Sequence, residues 1–237
     1  MRTIFSSASL AFLRGLKRHN NKPWFEAHRD DYESQVRGPM RALIEEMDVR
    51  LARFAAEIMG DPKRSMFRIH RDIRFSNDKS PYKTNAGCWF YHRDGTSSVG
   101  QEAEGGGAGF YFHLEPGGCM AAGGLWMPPR PALGKLRDAL AENPKAFEKA
   151  AASPAILQRF GGLSTDAMLK RMPRGFAEDH PAARWLRYQS FTLSRPITDL
   201  QVISARLPAL IEAEFTAMLP LVRWLNGVLG LKTAKGR

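Results

Sequence analysis

Near the N-terminus, apolar residues recur every three or four positions. Leu10, Leu13 and Leu16 share one face of a short opening helix from Ser9 to Lys17, and His19-Asn20-Asn21-Lys22-Pro23 stops it. A longer stripe follows through Phe25, His28, Tyr32, Val36, Met40, Leu43, Met47, Leu51, Phe54 and Ile58, which is the spacing of one buried helical face. Gly38-Pro39 is expected to break or kink that helix, because proline lacks an amide hydrogen and its ring strikes the preceding turn. Gly60-Asp61-Pro62 ends it. The period then becomes two, predicting strands over Met66 to Phe75, Gly87 to His92, Gly109 to Glu115 and Cys119 to Trp126, the last two joined as a hairpin about Pro116-Gly117-Gly118. Strands that succeed one another without helical crossovers pair antiparallel. Beyond Pro128-Pro129 the helical period returns at about Pro131 to Glu142, Pro144 to Ala151, Pro181 to Tyr188 and Pro208 to Leu225, with Pro220 bending the last. The pattern predicts one α+β domain over residues 1–237, a mainly antiparallel sheet flanked by helices.

Composition agrees with a globular chain: 43% of its 237 residues are hydrophobic and 25% charged. No apolar run approaches the roughly 20 residues of a spanning helix, and the opening segment is too interrupted by Ser6, Ser7, Ser9, Arg14 and Lys17 for a targeting peptide. The expected location is cytoplasmic, with no membrane partner. A net charge of +11 favours an anionic small molecule or nucleic acid as partner, although Lys and Arg are scattered along the whole chain. Cys88 and Cys119, far apart and outside any CxxC or Cys/His cluster, read as buried free thiols. Nothing in the spacing calls for a metal or cofactor. The stretch from Gly100 to Gly109 contains Glu102 and Glu104 and lacks the Gly-Lys-Ser/Thr ending of a phosphate loop, so it reads as a flexible hairpin loop.

The densest chemistry lies between Met66 and Thr84. Read as a strand, it turns Phe67, Ile69, Arg71, Ile73 and Phe75 to one face and Arg68, His70, Asp72 and Arg74 to the other. Arg71 falls among apolar residues, where a guanidinium demands a carboxylate; Glu26, Asp30 or Asp31 on the long helix could supply a helix-to-sheet tie, the alternative being a role in reading a ligand. The row opposite is either a solvated charge ladder or the start of a site. Lys79, Tyr82 and Lys83 leave the strand in a turn set by Asn77-Asp78 and Ser80-Pro81, and with Arg74 they gather cations and a phenol at one corner, a combination suited to phosphate or carboxylate. Arg68 and His70 extend that surface. The competing expectation is an enzyme in which His70 and Asp72 act as an acid–base couple, and a third is a protein-interaction module. Trp24, Phe25, Trp89, Phe110, Phe112, Trp126 and Trp224 read as core, with Trp126 alternatively lining a pocket.

Five blocks carry a resemblance. Asn20 to Phe25, Arg71 to Thr84 with its Lys79-Ser80-Pro81-Tyr82-Lys83 centre, Gly109-Phe110-Tyr111-Phe112-His113-Leu114, Gly123-Gly124-Leu125-Trp126-Met127-Pro128 and Pro173-Arg174-Gly175-Phe176 resemble, in this order, the DUF2461 family of bacterial and fungal proteins of unknown function, from about Phe5 to about Leu225. The resemblance implies a stand-alone α+β domain and brings no activity, cofactor or catalytic residue with it. The glycine-rich insertion before Gly109 and the basic tail from Lys232 to Arg237 are additions to the family pattern.

Overall fold

In the computed structural model, which describes residues 3–72, 78–100 and 105–234, the N-terminal apolar stripe folds as α1 (Ser7–Arg18), α2 (Lys22–Ala27), α3 (Arg29–Tyr32) and α4 (Gly38–Phe54). Gly38-Pro39 does not break the rod. A π-helical turn over Glu33–Arg37 joins α3 to α4 and widens the backbone there, so that Gly38 N–H reaches back to the Glu33 carbonyl. The wider turn accommodates the missing amide of Pro39, and Gly38 fits because a Cβ would stand 2.9 Å from that same carbonyl oxygen.

The chain continues through β1 (Ile58–Met59), β2 (Ala86–His92), β3 (Gly109–Leu114), β4 (Met120–Leu125), α5 (Arg130–Glu142), α6 (Pro144–Ala151), α7 (Pro154–Phe160), α8 (Ala183–Leu186), β5 (Phe191–Pro196), α9 (Asp199–Val202) and α10 (Leu207–Val228). The strands form one antiparallel sheet in the order β1-β2-β3-β4-β5, so this is an α+β domain with a meander. The long β4-to-β5 connection carries α5 to α8. No helix among the described residues is long and apolar enough to cross a membrane.

Several expectations change. The strand over Met66 to Phe75 is not continuous: Met66 bridges Cys88 and His70 bridges Tyr82 as isolated pairs. The segment hugs β2 only as far as the Phe67 N–H to Gly87 carbonyl bond, then pairs with its own return, Arg71 N–H to Pro81 and Lys83 N–H to Ile69. Ile73, Arg74, Phe75, Ser76 and Asn77 lie outside the described residues. The helix expected over Pro181 to Tyr188 shortens to α8, because most of the backbone around it is turn. Trp126 is 56% exposed and is not core, since the chain turns outward at Met127, whose φ is 43°.

The register sorts the sheet into two faces. On one, Phe90, Phe110, Phe112, Ala121 and Leu193 are fully buried, and Phe215 of α10 stacks on Phe110 at 4.5 Å between ring centroids. The α10 stripe Leu207, Ile211, Phe215, Met218, Val222 and Leu225 is fully buried, as its spacing predicts. Buried aromatics of this size contribute roughly 1.5–3 kcal/mol each through area alone. The structural ion pairs secure the same helical layer: Glu57, 2% exposed, accepts Arg223 Nε at 2.7 Å, and buried Glu214 takes both branches of Arg159 at 2.9 and 3.0 Å. On the opposite face the central row is only partly covered. Tyr111 sits beside Ala122, which sits beside Ser194, and His113 sits beside Met120, all of them intermediate in exposure.

Candidate functional site on the half-open sheet face

Two elements meet at this face, the hairpin from Phe67 to Lys83 and the outer row of β3. The hairpin is clamped by Asn20, whose side chain imitates a neighbouring strand: Tyr82 N–H donates to Asn20 Oδ1 at 3.1 Å, and Asn20 Nδ2 donates to the Tyr82 carbonyl at 2.9 Å. Asn21 next to it caps α2 by accepting from Trp24 N–H at 3.0 Å. The clamp seats the Tyr82 ring on Phe25, stacked at 4.2 Å, with His70 at 5.2 Å on the exposed side. Tyr82 is therefore 3% exposed and belongs to the hairpin's packing.

The cations divide by environment. Arg71 pairs with Asp78 at 3.1 Å and reaches the Tyr82 carbonyl at 3.4 Å, so its carboxylate comes from the hairpin's own return and not from Glu26, Asp30 or Asp31 on the helix. Asp78 is held below its usual range first by the hydroxyl and N–H of Ser80 and then by Arg71. Arg68 is exposed and 3.9 Å from Asp72. His70 is exposed beside the Phe25 and Tyr82 rings, at 6.3 and 5.2 Å between centroids, and Asp72 is exposed two residues further on. Lys79 is exposed just beyond Asp78, and Arg74 lies outside the described residues. Lys83 differs from all of these. It is partly buried, its Nζ stands 5.7 Å from the Phe67 ring centroid, and its proton affinity is lowered by burial first and by Arg68 and Arg71 second. No carboxylate pairs with it among the described residues.

Phe67 links this corner to β3, its edge resting against Tyr111 at 5.9 Å. Tyr111 OH bonds His113 Nδ1 at 2.8 Å, and His113 Nε2 bonds Glu115 Oε2 at 3.2 Å. An ionised carboxylate only accepts, so Nε2 of the neutral imidazole carries the proton, Nδ1 accepts, and the phenol donates. Burial raises the Tyr111 phenol first, with smaller upward contributions from the neighbouring Cys88 and the Glu115 carboxylate. Gly87 makes room for the arrangement, because a Cβ there would lie 2.5 Å from the Tyr111 oxygen. Sequence reasoning did not connect Tyr111, His113 and Glu115; the signal was the spacing i, i+2, i+4 on a strand, which puts three side chains on one face. Cys88 and Cys119 are buried free thiols, the latter's thiol pushed up to about 11 by burial, and among the described residues no group of three His, Cys, Asp or Glu side chains is arranged to hold a metal ion.

Comparison with known proteins gives one match: the family model described as a conserved hypothetical protein, DUF2461, aligns with residues 8–224 of the 237. The chain belongs to the DUF2461 family. No curated protein and no solved structure is detectably similar to it. The motif blocks of this DUF2461 protein now have physical roles. Asn20 to Phe25 is the clamp, cap and stacking partner of the hairpin, Gly109 to Leu114 is β3 with its two faces, and Gly123-Gly124 lets β4 pass close to its neighbours, since a Cβ on Gly124 would stand 2.0 Å from the Phe191 carbonyl oxygen. Trp126 lines a shallow pocket with Trp89, Val99 and Pro128, at the far end of the same face.

Proposed function

We propose that this DUF2461 protein binds a small anionic ligand, bearing phosphate or carboxylate, where the hairpin meets the half-open sheet face. Lys83 is the central contact, Arg68 lies beside it, and Lys79 extends the corner. The observation that carries this reading is Lys83 itself: a lysine kept partly buried, against two arginines, with no carboxylate of its own among the described residues. Such an ammonium weakens the fold unless an anion arrives to neutralise it, and charge-assisted hydrogen bonds to phosphate or carboxylate supply that. Tyr82, turned inward, supports the hairpin and does not touch the ligand.

The test is a thermal-shift screen against phosphate, pyrophosphate, nucleotides, carboxylates and short RNA and DNA. A ligand at a hundred times its dissociation constant should add about 2.7 kcal/mol of apparent stability. Lys83→Ala should abolish the shift, and Lys79→Ala should reduce it. A steep loss of binding with salt, proportional to several phosphates, would mark a nucleic acid instead. No shift with any anion, or an undiminished shift in Lys83→Ala, would remove this function.

A further inference from the structure

We propose that Tyr111 is an acid–base catalytic group acting on the anion held at Lys83, with His113 as its proton partner and Glu115 as the residue that positions His113. The identity of the substrate rests on the anion-site reading; the relay itself rests on β3 alone. Three features point from a row of hydrogen bonds to chemistry. The row has a direction, phenol to imidazole to carboxylate, which is the order of an activated nucleophile, its base and the group that orients the base. Its first ring neighbours the cationic corner: the Tyr111 and Phe67 ring centroids are 5.9 Å apart, and Lys83 Nζ stands 5.7 Å from the Phe67 centroid. And His113 is the only hydrogen-bond partner of the phenol oxygen among the described residues, so lone pairs remain for a ligand.

The surroundings keep the phenol neutral at rest, so Tyr111 can act as a base only by handing its own proton on. In the forward step the Tyr111 O–H bond breaks and its proton passes to His113 Nδ1, while the oxygen takes a proton from the ligand. The net change is one proton moved from ligand to imidazole, and the imidazolium is held at Nε2 by Glu115. The reverse returns a proton to the ligand at the same or another atom. The class of reaction is therefore proton transfer on a small carboxylate- or phosphate-bearing molecule, without a redox step.

The relay can be read before a substrate is known, by treating the protein with phenylmethylsulfonyl fluoride and mapping the modified tyrosines by mass spectrometry. A sulfonyl–oxygen bond forms at the phenol, the sulfur–fluorine bond breaks, fluoride leaves and His113 takes the proton. Of the five tyrosines, Tyr111 should react fastest. His113→Gln should slow it at least ten-fold and Glu115→Gln by a smaller factor, with circular dichroism verifying the fold; should His113→Gln not fold, Glu115→Gln decides. Pyrophosphate should protect Tyr111 in the wild type and not in Lys83→Ala. A Tyr111 that stays unlabelled, or reacts equally fast without His113, overturns the relay. Pyrophosphate that binds through Lys83 yet leaves labelling unchanged overturns its action on the anion. If pyrophosphate and the rest of the panel fail to bind, the anion site falls, and the dependence on His113 still decides the relay.

Discussion

The two faces of β3 are built from alternate residues of the same six-residue strand, and they do opposite work. Phe110, Phe112 and Leu114 are fully buried under α10 and the N-terminal segment, where Phe5 stacks on Phe112 at 5.9 Å. Tyr111 and His113, and Glu115 just beyond the strand, face outward and satisfy one another by hydrogen bonds. The contrast extends to the charges. Beneath the helical layer each buried carboxylate has its arginine, Glu57 with Arg223 and Glu214 with Arg159. At the half-open face Lys83 is partly buried, with no carboxylate partner among the described residues, and its proton affinity is lowered by burial first and by Arg68 and Arg71 second. Complete pairing on one side and an uncompensated cation on the other separate the half that stabilises from the half available for function.

The largest losses are expected on the closed, fully packed face. Phe110→Ala should destabilise by about 3–5 kcal/mol in a denaturant titration, by removing a fully buried ring under Phe215. Arg223→Ala should lose about as much, since it abandons a nearly fully buried Glu57 carboxylate. Gly87→Ala follows at roughly 1–3 kcal/mol, because the new methyl must push Tyr111 away, and it should lower Tyr111 labelling as well. Asn20→Ala, which leaves the N–H and carbonyl of buried Tyr82 without their clamp, should cost about 1–3 kcal/mol and raise amide exchange in the hairpin.

On the half-open face the expected losses are small. Arg71→Ala should change stability by about 0–1 kcal/mol, since its partner Asp78 is half exposed. Lys83→Met should leave stability equal or higher. The sign with pH follows from the lowered proton affinity. Below the folded-state value the lysine is charged in both states and the fold bears the whole penalty of burial and repulsion. As pH rises through that value toward the usual lysine range, the folded protein releases the proton first and the penalty disappears. The advantage of Lys83→Met over wild type should therefore be greatest near neutral pH and vanish in alkali, as followed by urea midpoints across pH. A Lys83→Met protein less stable than wild type at neutral pH would make Lys83 a structural tie.

Much of this architecture can be read from periodicity. The α10 stripe, the β2 to β4 meander and the Pro116-Gly117-Gly118 hairpin follow from spacing, because each repeats its signal over several residues. The segment from Phe67 to Asp72 departs from one continuous strand because alternation at Phe67 and Ile69 does not show that pairing passes from β2 to the chain's own return at Pro81 to Lys83. β5 was missed although Phe191 and Leu193 alternate with Thr192 and Ser194, for its second half, Arg195 and Pro196, is exposed and carries no apolar signal. At Gly38-Pro39 the helical rod is not broken but passes through a π-turn just before the proline, a backbone change that no side-chain pattern announces. At the site, Arg68 and Lys83 were visible as charges. What separated Lys83 from its neighbours, and Tyr111 from the core aromatics, was burial and contact across distant strands.

The Lys83 ammonium can be followed directly by carbon-detected NMR of 13C-labelled lysine side chains across pH, with Lys83→Met for assignment, without and with pyrophosphate. The prediction is a titration below that of the other lysines in the free protein, and a rise when pyrophosphate is added. A Lys83 that titrates with the other lysines and does not respond to pyrophosphate or to any other anion of the screen would contradict it.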